Sequence, residues 1–160
     1  MLNDADKDKL SQTIKSININ FERLNFALKK TKSLLPLTIN IYNNIQPENI
    51  SYIDQYIFRF SKIQDLMAEK LFRLVLIAVE EDIESKSFLN ILDKLEQLNV
   101  LNNKNEWIYL RKLRNEVSHE YPLLDDDALS ALNKLFETHS SLANVYQRCL
   151  DFLLSNNIQP

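Results

Sequence analysis

Between residues 110 and 122 the chain reads Leu-Arg-Lys-Leu-Arg-Asn-Glu-Val-Ser-His-Glu-Tyr-Pro. This stretch gathers Arg111, Arg114, Asn115, one of the two histidines (His119) and Tyr121, which stands directly before Pro122. Histidine is the side chain whose ordinary pKa lies close to neutrality, so it can both take and give a proton. Arginine presents a fixed fork of donors to phosphoryl oxygens. Together they suit metal-independent cleavage of RNA. There a 2′-hydroxyl attacks the neighbouring phosphorus, one group takes its proton and another protonates the leaving 5′-oxygen. Cationic donors stabilise the phosphorane. His119 also falls near an expected helix C-terminus, where the dipole favours its protonated form.

Helical phase decides what can meet. At about 100° per residue, Arg111 and Arg114 share a face, and so do Arg114 and Tyr121, which fall about 20° short of two full turns apart. Trp107 joins that face. His119 lies about 140° away from Arg114. The two converge only if the helix end distorts near Pro122 or if two chains supply one site. A plainer reading stands beside this one: His119 caps helix-end carbonyls, and the arginines form surface ion pairs with Glu116 and Glu120. Those two carboxylates would repel a phosphate.

The elements around the stretch are helical. Leu10, Ile14, Ile17, Phe21, Leu24 and Leu28 step by 4 and 3, one stripe of a helix over about 7–31. Asp4 and Asp6 suit its start, and Lys29, Lys30 and Lys32 suit its end. Pro36 and Pro47 mark 33–48 as a connector with room for one short helical turn. A second helix is expected over about 49–83, where polar Gln64 interrupts an apolar stripe running from Ile53 to Ala78. A third spans about 87–100 and a fourth about 105–120, which Pro122 stops by disfavouring helical geometry at Tyr121. The last, about 126–154, has the most regular stripe, Ala128, Leu132, Leu135, His139, Leu142, Tyr146, Cys149 and Leu153, behind an acidic start at 125–127. Such stripes in antiparallel neighbours predict a single all-α domain over 1–160, an up-and-down bundle of four to five helices.

Composition narrows the chemistry. The 160 residues contain no glycine, where average usage predicts roughly 11. Phosphate-cradling and dinucleotide turns need glycine, so Walker-type and Rossmann-type sites are all but excluded. Apolar residues make up 45% and charged residues 26%, which speaks against disorder. The formal net charge of −3 gives no global pull on polyanions, although residues 1–32 carry +3 and 104–122 carry +1. The single cysteine, Cys149, rules out an internal disulfide. The polar N-terminus and the short apolar run at 74–79 predict neither leader nor membrane span, hence a cytoplasmic protein. No metal or other cofactor is expected, because no His-Glu-x-x-His or cysteine pair occurs.

Arg114-Asn115-x3-His119-x-Tyr121 resembles the R-x4-H-x-Y motif of the HepT branch of HEPN-domain proteins. The segment Ile53-Asp54-Gln55-Tyr56-Ile57-Phe58-Arg59-Phe60-Ser61-Lys62-Ile63-Gln64-Asp65, followed by Glu69-Lys70-Leu71-Phe72-Arg73, is similar to the long second helix of that branch. The likeness covers about residues 5–155. It implies a helical homodimer whose Arg–His motifs line a shared cleft, acting as an RNase toxin. The toxin would be paired with a small nucleotidyltransferase antitoxin that adds AMP to the motif tyrosine. On that resemblance Arg114 and His119 are catalytic, Tyr121 is modified, Asn115 orients the arginine or the phosphate, and Asp65 supplies an acidic group nearby. Sharing Arg114's face, a Tyr121-linked AMP would lie over the phosphate site.

Two other readings remain: a non-catalytic helical partner or substrate module of a nucleotidyltransferase, and a nucleotide-binding helical dimer. Trp107 is expected to anchor the bundle or dimer, with base stacking as the lesser alternative. Tyr42, Tyr52, Tyr56 and Cys149 are read as packing, and His139 as a packed, hydrogen-bonded histidine.

Overall fold

A computed structural model describes residues 2–79 and 81–159. The described residues are helical with no strand. The long helices are α1 (Asp4–Thr31), α3 (Pro47–Leu66) continuing through a π-helical turn (Met67–Leu71) into α4 (Phe72–Ala78), α6 (Lys104–Glu120) and α8 (His139–Ser155). Shorter ones are α2 (Ile39–Asn43), α5 (Phe88–Gln97) and α7 (Asp126–Glu137). The all-α bundle expected from the stripes is therefore what the chain forms. None of the described helices is long and apolar enough to cross a membrane.

Side-chain pairs give the register. Asn20 accepts from Arg59 Nη1 at 3.0 Å, and Phe26 meets Tyr52 edge to face at 5.9 Å, so α1 and α3 run antiparallel. Tyr146 donates to Asn18 at 2.7 Å and His139 Nε2 meets Asn25 Oδ1 at 2.5 Å, so α8 is antiparallel to α1. Arg114 reaches Asp65 and Tyr121 reaches Asp54, so α6 is antiparallel to α3. Ile17, Leu24, Ile53, Phe60, Leu71, Leu92, Leu132 and Leu153 are buried in the single core these helices share.

The ends follow local chemistry. Asn3, Ser87, Asn103 and Asp125 accept backbone N–H groups as N-caps of α1, α5, α6 and α7. Without glycine, asparagine supplies the left-handed residue that closes a helix. Asn99 (φ 59°) and Asn157 (φ 60°) follow α5 and α8, and Val100 and Ile158 donate back to Leu95 and Leu153 at 2.9 Å. Two boundaries differ from the sequence reading. The second helix ends at Ala78 rather than near 83. The last divides at Thr138, whose hydroxyl donates to the Leu135 carbonyl at 3.0 Å and competes with the ladder. The 33–48 connector is clamped to α7, since the Asn133 amide accepts from Leu37 N–H at 2.7 Å and donates to its carbonyl at 2.8 Å.

Candidate active site

Helix α6 carries the motif. Its apolar face, Trp107, Leu110, Leu113 and Val117, is buried against the chain's own core. Trp107 is 1% exposed and meets Phe72 edge to face at 4.7 Å. It is a bundle anchor and not a surface platform for bases. The helix stays regular to Glu120, and Tyr121 turns extended (φ −62°, ψ 136°), as a residue before proline should. No distortion at the helix end brings His119 towards Arg114.

Arg114 sits on the flank of that buried face. Its Nη1 donates to Asp65 Oδ1 at 3.1 Å, and neither Glu116 nor Glu120 pairs with it. The contact that orients the guanidinium therefore comes from α3. Asn115 makes no side-chain bond among the described residues and is exposed. Behind Arg114 lies a cavity of about 280 Å³, lined among others by Gln64, Asp65, Glu69, Arg73, Trp107 and Arg111. The Arg111 guanidinium lies 5.3 Å from the Phe88 ring centre, over that wall. Three arginines face two carboxylates here, so the lining is net positive although the protein is not.

The π turn shapes this cavity. The Phe72 N–H reaches back five residues to Met67 O, and Ala68 and Glu69 of this turn line the cavity. Such turns inside α-helices occur frequently at functional sites.

His119 is exposed and has no side-chain hydrogen bond or ion pair among the described residues. It does not line the cavity. Within one chain, Arg114 and His119 stay on different faces, as the helical phase requires.

Tyr121 departs from the phase argument. Because its backbone is extended, the phenol leaves the Arg114 face and donates to Asp54 on α3. Burial, reinforced by the Asp54 carboxylate, raises its pKa well above the ordinary tyrosine value. Tyr42 closes the other side, donating to the Pro122 carbonyl at 2.7 Å. Asp54 and Asp65 are eleven residues apart on a regular helix, about 16 Å along its axis. The Tyr121 phenol therefore stands at the Asp54 end of α3, away from the carboxylate that holds Arg114, and does not share the Arg114 face that helical phase predicted.

Sequence reasoning missed Asp54 and Arg73, which carry no local signal, and passed over Gln64, whose interruption of an apolar stripe was visible. His139, half-buried beside Glu22 and Asn25, is hydrogen-bonded as expected but lies at the edge of the core. Tyr56 is buried and donates to Leu135 O at 2.9 Å. The buried Cys149 thiol is pushed up to about 12 by its apolar surroundings. Compared with known proteins, the chain matches no family model, no curated protein and no solved structure.

Proposed function

We propose that this chain is the toxin of a HEPN/nucleotidyltransferase pair, a metal-independent RNA endonuclease that works as a homodimer. The carrying observation is the state of the two motif side chains. Arg114 is fixed by Asp65 at the rim of a cationic cavity, while His119 is left free and exposed on the same helix. One nitrogen of the guanidinium is spent on Asp65, and the remaining donors can serve phosphoryl oxygens.

One chain cannot aim both groups at one phosphate, so the site is completed by a second copy. The exposed stripe of α6 between Arg114 and His119, carrying Arg111, Asn115 and Ser118 with Ile108 at its edge, is the face that meets it. Trp107 and Leu110 cannot, being consumed by the core. In the shared cleft Arg114 holds the phosphate. One His119 imidazole takes the 2′-hydroxyl proton as that oxygen bonds to phosphorus. The P–O5′ bond breaks, the other His119 protonates the 5′-oxygen, and a 2′,3′-cyclic phosphate and a 5′-hydroxyl result.

The partner antitoxin silences the toxin at Tyr121. The phenol oxygen attacks the α-phosphorus of ATP, pyrophosphate leaves, and Asp54 accepts the phenolic proton. The AMP acts at the His119 end of α6, two residues away in sequence. There its charge and bulk close the cleft to RNA.

The test is cleavage of a mixed RNA pool in EDTA. His119→Ala and Arg114→Ala each lose about 10²–10⁴-fold, and the wild-type product ends in a cyclic phosphate. Light scattering reads a dimer, and Ile108→Glu reads a monomer. A strict magnesium requirement, or undiminished cleavage by His119→Ala, overturns the mechanism. Co-expression with a nucleotidyltransferase adds about 329 Da to the Tyr121 peptide. A protein modified there but inert on RNA would instead be a non-catalytic partner.

A further inference from the structure

The seam between α1 and α3 carries four cations that no carboxylate neutralises. Arg23 and Lys30 stand on α1, Arg59 and Lys62 on α3, and none of them forms an ion pair among the described residues. Neutral groups hold them instead. Arg59 Nη1 donates to Asn20 Oδ1 at 3.0 Å, and its guanidinium lies 5.0 Å from the Phe58 ring centre. Lys30 Nζ lies 5.5 Å from the Phe26 ring centre and 6.0 Å from that of Tyr52. Burial, and after it the Arg23 charge, lower the Arg59 pKa, so two like charges stand close across the seam. Of the nearby carboxylates, Glu48 accepts from Tyr52 at one end, Glu22 lines the α8 flank of α1, and Asp54 accepts from Tyr121 on the α6 side. The rings are open too: Phe26 is 49% exposed and Phe58 58%.

We propose that this seam binds a single strand of nucleic acid, with its phosphates on Arg23, Lys30, Arg59 and Lys62 and its bases against the exposed Phe26 and Phe58 rings. Single strands are held by cations that track the backbone together with aromatic faces that take bases of any sequence. The seam interleaves the two. On α1, Arg23, Phe26 and Lys30 step by 3 and 4 along one face, and on α3 Phe58 precedes Arg59 and Lys62. A duplex keeps its bases stacked on one another and offers none to the rings. Half of the seam's cations are lysines, which protein–protein interfaces tend to lack and phosphate contacts use. From Tyr52 to Lys62 the seam runs about 15 Å along α3, too long for one phosphate. It also leads somewhere. Past Ser16 the gap between α1 and α4 opens into a groove of about 550 Å³, lined among others by Glu69, Lys70 and Arg73, and Glu69 and Arg73 line the cavity behind Arg114 as well.

The inference deepens the endonuclease reading and rests on it only for taking the strand as RNA. On that reading the seam captures substrate outside the cleft in which it is cut. RNA and DNA single strands share the phosphates and base faces that the seam would hold, so both are tested. Binding itself is measured without cleavage.

The full-length protein is titrated into a fluorescently labelled 2′-O-methyl RNA of about 12 nucleotides, which cannot be cut through its 2′-oxygen, and into DNA of the same sequence. Anisotropy reads the affinity at several salt concentrations. Arg23→Gln/Lys30→Gln, folded by circular dichroism, should bind at least about tenfold more weakly and flatten the salt slope by about 1.4, two phosphate contacts at about 0.7 each. Phe26→Ala should weaken binding at least about fivefold at an unchanged slope. Lys7→Gln/Lys134→Gln removes the same charge outside the seam and should shift affinity by less than about twofold. Equal loss in the two double variants overturns the inference, because overall charge would then explain the binding. So would the absence of saturable binding up to about 100 μM, a Phe26→Ala protein with unchanged affinity, or a duplex bound as tightly as the single strand. Displacement by polyglutamate as effective as by unlabelled strand would also overturn it and mark a site for an acidic protein. Tighter binding of the DNA supports the seam and removes its tie to the endonuclease. Cleavage of unmodified RNA is measured in parallel. Strand binding without cleavage leaves this inference standing and fails the endonuclease. Cleavage without strand binding, at an unchanged rate in Arg23→Gln/Lys30→Gln, does the reverse.

Discussion

Replacing Gln64 with methionine should make the protein more stable. The two side chains have similar length and shape, and their helix propensities are close, so neither a cavity nor a backbone cost is introduced. What changes is polarity. The glutamine amide is 2% exposed with both polar atoms unpaired, and mutational data put such a group at about 1–3 kcal/mol of lost stability. Gln64→Met should recover that amount. For a domain of this size, about 2–4 °C per kcal/mol applies, so the melting temperature should rise by roughly 2–12 °C. Urea unfolding at one fixed protein concentration measures it. The midpoint should move up at an unchanged slope, which separates a native-state gain from a change in the unfolded chain. A lower midpoint would refute the reasoning. It would mean that the amide finds its bonds in solution, for example by closing onto the Trp107 indole across the cavity.

Three further outcomes follow from the geometry. Asp65→Asn should lower single-turnover RNA cleavage about tenfold by releasing Arg114, as expected for lost positioning. Because Asp65 is 44% exposed, its stability should change by less than about 1 kcal/mol; an unchanged rate would show that Asp65 does not hold the guanidinium for catalysis. Asn133→Ala should cost about 1–3 kcal/mol in urea unfolding, since it strands the N–H and carbonyl of Leu37 at a buried seam; a cost below about 0.5 kcal/mol would show that water replaces both bonds. Burial lowers the His139 pKa from its ordinary value near 6.5, so the unfolded chain binds the proton more readily. His139 therefore contributes stability that is fully present above pH ~6.5 and is lost as pH falls through its lower folded value. Stability profiles between about pH 7 and pH 5 should be flatter in His139→Gln than in wild type, and parallel profiles would contradict the assignment.

The helices were legible because their physics is local. Apolar stripes stepping by 3 and 4, the acidic starts at Asp4, Asp6 and 125–127, and Pro122 after Tyr121 each act within a turn or two. Thr138 was harder, since the break between α7 and α8 lies where the Thr138 and Tyr56 hydroxyls both occupy the Leu135 carbonyl, without disturbing the stripe on either side. The candidate site was half legible. Residues on α6 are near in sequence, so helical phase placed Arg114 apart from His119 and beside Trp107. The same rule failed for Tyr121, because the proline that ends the helix also removes the residue before it from helical phase. The partners on α3 were out of reach of such rules. Asp65 lies 49 residues from Arg114 and Asp54 lies 67 from Tyr121, and only the antiparallel register of α3 and α6 brings them together. Gln64 gave a signal, a polar residue in an apolar stripe. Its meaning needed the cavity, which exists only once α3, α5 and α6 are packed.

The π turn at Met67–Leu71 has a genetic consequence. In an ordinary helix each inserted residue rotates everything beyond it by about 100°, so an insertion would carry half of a stripe out of the core. Here the extra residue is absorbed within one turn, and both flanks keep their apolar faces inward, Ile53 to Leu66 before it and Phe72 to Leu76 after it. The two halves thus have independent phase, joined by a washer one codon thick. Deleting a single codon such as that of Ala68 would let the ladder close as plain α-helix with both halves still facing the core, and only the wall at the turn would change. The cavity wall and the alignment of the two stripes are therefore inherited separately: a lineage can gain or lose the one by a single codon without repacking the other.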